Sequence, residues 1–236
     1  MTGALELLGF GPQGWGLPLL KATGMTLAAA VCGFSLGAVF GLAGAGLKLS
    51  RRGGLRAAGQ VYTTLFRGVP EILVIYLFYF GGSMALTRAM NLGGWPGFFS
   101  LPSFAIGVLA IGIVSGAYQT EAFRAAFLRL DRGQLEAAAA CGMPPVLRLR
   151  RIVAPQALRF ALPALGNIWQ SVLKETSLLS VIGLTELLRQ AGIAAGSTRQ
   201  PLLFYGVAAL AFLTIGKLTG AGLARLERRL ARPWSR

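Results

Sequence analysis

The sequence predicts an all-α membrane protein with five transmembrane helices, and its composition and long uncharged stretches carry that prediction. The 236 residues are 54% hydrophobic and only 13% charged, whereas a soluble domain is about 25% charged. Residues 22–47 and 89–120 contain no charged side chain, and each stretch exceeds the roughly 20 residues that cross a bilayer core. Inside lipid the backbone polar groups must bond within their own segment, so the spans are expected to be helices.

Hydropathy divides the chain into five spans, and glycine and proline modify the first two. We place the spans at about residues 24–47, 61–84, 103–127, 162–182 and 202–223. In the first span Gly33, Gly37 and Gly41 share one helical face. Another helix can approach that face closely, either from within the chain or from a partner subunit. In the second span, Gly68 and Pro70 predict a local break.

The distribution of basic residues predicts the orientation of the chain in the membrane. The stretches after span one, between spans three and four, and after span five hold fifteen Lys and Arg residues, against four on the opposite side. Basic loops favour the cytoplasmic side, so we expect the N-terminus outside the membrane and the C-terminus in the cytoplasm. A net charge of +15 would suggest nucleic acid as a partner of a soluble protein. Because the basic residues border apolar spans, we expect membrane lipid and no nucleic acid.

Several functions are excluded by what the sequence lacks. It contains no histidine, so histidine-based catalysis and histidine metal sites are excluded. Cys32 and Cys141 are isolated from each other and form no disulfide framework or metal motif. No phosphate-binding loop of the form G-x-x-x-x-G-K-[S/T] is present. We therefore predict that the chain is not an enzyme and holds no metal or cofactor. With no domain boundary or cleavable signal peptide evident, residues 1–236 are predicted to form a single transmembrane domain.

Between the third and fourth spans the sequence predicts a short Ala-rich helix. Asp131 can cap its start, with Gln134 as the capping-box partner. Gly142 is a natural end, and the proline pair that follows Met143 can start the next helix but not continue this one. The helix would contain about ten residues and be roughly 15 Å long. Four consecutive alanines, residues 137–140, leave a thin rod whose shape suits insertion into a groove on a partner.

This loop resembles the EAA loop of importer-type ABC permeases. That pattern reads E-A-A, three residues, G, nine residues, I, one residue and L-P, and the chain departs from it only at Ala154, where the pattern has leucine. The matching positions are Glu136, Ala137, Ala138, Gly142, Ile152 and Pro155. The resemblance implies that they belong to a coupling loop, at about residues 131–155, which docks into a groove on a cytoplasmic ATPase. ATP hydrolysis would then take place on another chain.

The resemblance extends over nearly the whole chain. Segments 62–71, 116–124, 162–169 and 173–186 are similar to the polar amino acid permeases, particularly the Q-type subunit of histidine, lysine-arginine-ornithine and opine uptake systems. The resemblance implies a type I ABC importer bundle in a bacterial inner membrane, and this bundle would form a heterodimer with a second permease. Two copies of the ATPase and an external substrate-binding protein complete the expected assembly. The expected cargo is a polar, basic amino acid or an opine. A neutral or acidic amino acid is the alternative cargo, and a passive channel or membrane scaffold is the alternative from another class.

Polar and charged residues inside the spans predict a substrate pathway, because charges at membrane depth usually face a cavity. We assign to it Arg67, Glu71, Glu121, Asn167, Gln170 and Glu175. Structural ion pairs of Arg67 with Glu71, and of Glu121 with Arg124, are the alternative. Lys174 and Glu175 are adjacent, so their side chains point about 100° apart and cannot both face one cavity.

The resemblance also implies roles for two of these residues. In basic-amino-acid members of the family, the acid after the lysine of this segment can face the substrate cavity, which corresponds to Glu175. The arginine of the R-G-x-P segment can do the same, which corresponds to Arg67. The chain departs from members that have an acid after the asparagine, because Ile168 follows Asn167 here.

The predicted orientation can be tested by thiol labelling in intact cells. A cysteine placed at Gly94, in the loop between spans two and three, should react with an impermeant thiol reagent from outside. A cysteine placed at Gln134 should not react, because the basic loop is expected in the cytoplasm. Labelling of position 134 from outside would overturn the assignment.

Overall fold

The computed structural model describes residues 6–11 and 14–231, and over these residues the chain is helical with no strand. Short connections join eight principal helices. In chain order they are α1 (Gly16–Leu49), α2 (Gly53–Gly68), α3 (Glu71–Leu92), α4 (Ser103–Leu128), α5 (Arg132–Ala140), α6 (Pro145–Ile182), α7 (Leu187–Thr198) and α8 (Pro201–Ala231).

Four of these helices are long and apolar enough to cross a membrane, namely α1, α3, α4 and α8. Helices α6 and α7 pass the same test together and meet at a bend of 53°. The described residues therefore hold four spans, or five if α6 and α7 form one broken span. This confirms the predicted all-helical membrane class.

The second predicted span, residues 61–84, has the wrong boundaries. Helix α2 ends at Gly68, Val69 is extended, and α3 begins at Glu71 after Pro70. Proline has no N–H group and disfavours helical backbone in the residue before it, so the predicted break at this point is confirmed. The apolar span is α3, which runs to Leu92, and residues 61–68 belong to a separate amphipathic helix.

The fourth predicted span, residues 162–182, is the second half of a longer helix. Helix α6 begins at Pro145, continues through Pro163 and tightens into a 3₁₀ turn over Thr176–Ile182. It ends at Gly183, whose φ of +92° suits glycine. Glu186 then caps α7, because its carboxylate accepts hydrogen bonds from the N–H groups of Leu188 (2.9 Å) and Arg189 (2.7 Å).

The glycine face of α1 packs against α4 inside the chain. A Cβ atom added at Gly37 would lie 2.2 Å from Ser115 Oγ, and one added at Gly44 would lie 2.3 Å from Thr120 Oγ1. Gln119 in α4 crosses the contact and donates to the carbonyl of Phe34 at 3.1 Å. Of the two possibilities left open by the sequence, internal packing is the one observed.

Two apolar clusters hold the remaining helices to this pair. In the larger one, α3 and α6 pack on α1 and α4, and the rings of Phe34 and Trp169 meet edge to face at 5.5 Å. In the smaller one, α7 and α8 pack around the fully buried Phe204 against the start of α1. The larger cluster places α3, α4 and α6 around the polar residues described below.

The α1–α4 contact predicts that a single methyl group at Gly37 is destabilising. Gly37→Ala should lower the stability by about 1–3 kcal/mol, because Ser115 and the α4 backbone must move away. Gly46→Ala is the matched control, since a Cβ atom there meets nothing within 4 Å. Thermal unfolding of the two purified variants in one detergent checks this. Equal midpoints would show that the contact is not close-packed.

Candidate functional site

Two carboxyl groups line one cavity between α3, α4 and α6. Glu71, the first residue of α3, and Glu175, at the end of the α-helical part of α6, both line this cavity of about 240 Å³. Helix α4 forms the third wall. The complete lining is Glu71, Ser115, Tyr118, Asn167, Ile168, Ser171, Val172 and Glu175.

Helical spacing explains why α6 presents this polar face. Asn167, Ser171 and Glu175 follow one another at intervals of four residues, so they lie on one side of the helix. Ile168, which follows Asn167, lines the same cavity. Glu71 brings a second carboxyl group to it from α3. Three predicted pathway residues, Glu71, Asn167 and Glu175, are thus brought together.

Arg67 lies in a cavity that adjoins the acid cavity. This second cavity, of about 490 Å³, shares Glu71 and Tyr118 with the first. The guanidinium carbon of Arg67 lies 5.3 Å from the centre of the Tyr118 ring, a cation–π distance. Within residues 6–11 and 14–231, Arg67 and Glu71 form no ion pair, because the break at Pro70 separates them. The sequence pattern gave Tyr118 no role in this arrangement.

Glu121 lies at a junction of three helices, outside the acid cavity. Its carboxylate forms an ion pair with Lys48 at the end of α1 and a longer one, at 3.5 Å, with Arg124. The Lys48 ammonium also donates to Thr63 Oγ1 in α2 at 2.9 Å, so the junction joins α1, α2 and α4. Arg124 was the partner foreseen from sequence spacing, whereas Lys48 is 73 residues away and could not be foreseen.

Gln170 also points away from the acid cavity. Its side-chain amide donates to the carbonyl of Gly216 in α8 at 2.9 Å, and Gln170 lines a separate cavity together with Lys174 and Lys217. Lys174 and Glu175 therefore face different cavities, as their adjacency predicts.

The Ala-rich helix α5 has the predicted ends. Asp131 caps it by accepting from the N–H of Gly133 at 2.8 Å. Beyond its end, the N–H groups of Gly142 and Met143 donate back to Ala139 (2.9 Å) and Ala138 (3.0 Å), and Gly142 has a φ of +74°. This is the glycine-dependent helix ending that the sequence indicated. The capping-box partner was wrong, because Gln134 instead accepts a hydrogen bond from Gln156 at 2.7 Å.

The coupling loop presents a small, mostly exposed surface. Glu136, Ala137, Gly142 and Pro155 are exposed, Ile152 is half-buried, and Ala138 is buried. Beside them, Val146 and Leu149 at the start of α6 are 77% and 52% exposed. Both apolar side chains lie close in sequence to the exposed arginines Arg150 and Arg151.

A bundle of apolar spans around charged cavities, with one small helix outside the bundle, defines a multi-span membrane transport protein. The chain belongs to the family of binding-protein-dependent transport system inner membrane components, whose family model matches residues 22–232. It is therefore a multi-pass inner-membrane component of a transport system that depends on a binding protein.

Curated relatives and solved structures agree with this family. The chain is 53% identical to the octopine transport system permease protein OccQ of Rhizobium radiobacter, over 96% of each chain. It is 37% identical to the histidine/lysine/arginine/ornithine permease HisQ of Escherichia coli K12, over 89% of this chain and 92% of the relative. A solved amino acid ABC transporter, crystallised with histidines, superimposes with a TM-score of 0.74 at 31% identity, covering 90% of this chain and 94% of the other.

Proposed function

We propose that this chain is the transmembrane subunit of an ATP-driven ABC importer for a basic amino acid or an opine. The observation that carries the proposal is the pair of carboxyl groups, Glu71 and Glu175, in one cavity between α3, α4 and α6. A cationic side chain in that cavity would offset both negative charges at membrane depth, where unpaired charge is unfavourable. Relatives named for octopine, histidine, lysine, arginine and ornithine transport support the same cargo class.

Arg67 supplies the opposite charge for the cargo carboxylate. Its planar guanidinium group can make a bidentate contact with a carboxylate, and the cavity that holds Arg67 adjoins the acid cavity. Tyr118 lines both cavities, and the Arg67 guanidinium lies over its ring. Both charges therefore stay available to a cargo that carries a carboxylate and a cation, instead of neutralising each other.

A second permease subunit in a heterodimer would complete the site. Glu71, Glu175 and Arg67 line two adjoining cavities of about 240 and 490 Å³, and charged groups at membrane depth are expected to face protein or water and not lipid. A partner permease would close these cavities toward the lipid. With the N-terminus outside and the C-terminus in the cytoplasm, an external binding protein would deliver cargo to the opposite face from α5.

The α5 loop would transmit the force of ATP hydrolysis from a separate ATPase chain. Two ATPase copies, one under each permease, would each receive one such loop. The exposed alanines let the helix backbone come close to a groove, while Val146 and Leu149 offer apolar contact at its side. Glu136 adds one charge near the positive start of the helix.

The cargo proposal predicts a selective defect in Glu175→Gln, which keeps the shape and removes the charge. Loss of one charge-assisted contact should weaken the apparent affinity for arginine roughly ten- to a hundred-fold. Assembly with the ATPase should be unchanged. Uptake into reconstituted vesicles and a pull-down of the complex measure the two effects. Glu227→Gln, an exposed acid on α8, is the control and should transport normally. Unchanged uptake by Glu175→Gln would mean that the partner permease carries the site.

The coupling proposal predicts that ATPase docking depends on the backbone conformation at Gly142 and not on the space available for a side chain there. A Cβ atom there meets nothing within 4 Å, but the φ of +74° strains β-branched residues by about 1–3 kcal/mol. Gly142→Val should therefore abolish ATPase docking and uptake, whereas Gly142→Asn, which tolerates this conformation, should keep both. Glu136→Ala should be mild, since an exposed charge pair contributes about 0–1 kcal/mol.

Pull-down with the ATPase and vesicle uptake separate these outcomes. Membrane insertion of every variant is verified first by its yield after detergent extraction. Wild-type docking by Gly142→Val would count strongly against a role of this loop in coupling.

A further inference from the structure

Two lysines from different helices converge on one groove at the back of the acid cavity. Lys174 in α6 and Lys217 in α8 both line a cavity of about 440 Å³. The rest of its wall is one amide and several apolar or small residues: Gln170, Leu173, Phe212, Leu213 and Gly216. Both lysine side chains are exposed on the surface of this chain.

The seam between α6 and α8 fixes the geometry of this groove. A Cβ atom at Gly216 or Gly220 would lie 3.0 or 3.1 Å from the Gln170 amide, so glycine at both positions lets Gln170 lie flat against α8. The hydrogen bond from Gln170 to the Gly216 carbonyl, at 2.9 Å, closes the seam. Because Gly216 precedes Lys217 and Gln170 lies one turn before Lys174, the closed seam brings the two lysines to the same groove.

No acid of the described chain neutralises these two charges. Both ion pairs found over residues 6–11 and 14–231 are formed by Glu121, and neither includes Lys174 or Lys217. The neighbouring Glu175 lines the other cavity. Charged side chains within a span are unfavourable unless an opposite charge or water meets them. An anionic group from outside this chain would therefore neutralise the two lysine charges in the groove.

The depth and the walls of the groove indicate which anion fits. Lys217 lies eight residues before Arg225, or about 12 Å along the helix, so it belongs to the half of the span nearer the basic C-terminal end. Its long stem can extend toward the headgroups. Leu173, Phe212 and Leu213 give the groove an apolar side that suits an acyl chain.

Helix α8 also leaves most of its apolar surface uncovered by the described part of this chain. In the most apolar 18-residue stretch of α8, only 11% is buried within the chain, compared with 56% for the corresponding stretch of α4. Leu210, Leu213 and Leu218 are all more than half exposed. Basic pockets between transmembrane helices commonly bind the headgroups of anionic lipids. We infer that the groove between α6 and α8 is a binding site for an anionic phospholipid, whose phosphate is held by Lys174 and Lys217.

The test compares lipid retention by the complete transporter in nanodiscs of phosphatidylcholine doped with phosphatidylglycerol. Native mass spectrometry counts the phosphatidylglycerol that remains bound to wild type and to the double variant Lys174→Met/Lys217→Met. Methionine keeps an unbranched stem and removes the ammonium group. The double variant should bind this lipid roughly thirty-fold more weakly, and each single variant roughly five-fold more weakly.

Two control variants keep the result interpretable. Lys217→Arg keeps the charge and should retain the lipid. Lys21→Met removes an exposed lysine at the other end of the bundle and should have no effect. The single variants keep the test valid if the double variant assembles poorly.

Three results would overturn the inference. One is equal retention of phosphatidylglycerol by wild type and the lysine variants. Another is loss of the second permease from the lysine variants, which would show that a protein covers the groove. The third is a fall in uptake with normal lipid retention, which would place the lysines on the cargo path. None of these readouts depends on the role proposed for Glu175.

Discussion

The close contact of α1 with α4 is the constraint on which the other parts of this bundle depend. Because Gly37 and Gly44 leave no side chain between the helices, α4 lies directly on α1. That contact places Glu121 within reach of Lys48, which also holds Thr63 of α2. Helix α2 leads through the break at Pro70 into α3, so the same contact determines where Glu71 enters the bundle.

The bundle then separates its charges by backbone geometry. After the break at Pro70, Arg67 and Glu71 form no ion pair although both line one cavity; Arg67 lies over the Tyr118 ring, and Glu71 also lines the acid cavity. The adjacency of Lys174 and Glu175 sends a cation to one side of α6 and an anion to the other. The acid cavity and Arg67 suit the cargo proposed above, which carries both a cationic side chain and a carboxylate, whereas Lys174 faces a separate groove.

Local sequence signals predicted much of the fold but little of the charge arrangement. The uncharged stretches, the Pro70 break and both ends of α5 follow from hydropathy, proline chemistry and capping, which act over a few residues. The predicted boundaries of the second span were wrong because α2 is amphipathic. Its apolar residues extend the hydropathy pattern of α3 toward the N-terminus, across the break. The capping-box role of Gln134 was wrong, whereas the Glu121–Arg124 pair was confirmed. The contacts of Glu121 with Lys48 and of Gln170 with Gly216 were not foreseen, because each joins helices distant in sequence. Glu71 and Glu175 were each predicted, but their shared cavity depends on how α3 and α6 pack.

The most direct test of this account is the position of bound cargo in the assembled transporter. Electron cryomicroscopy of the complex in nanodiscs, with saturating L-arginine and its ATPase trapped before hydrolysis, would show it. The account predicts the guanidinium group within hydrogen-bonding distance of Glu175 or Glu71, and the carboxylate directed toward Arg67. Arginine held entirely by residues of the second permease, with Glu71 and Glu175 out of reach, would contradict the account.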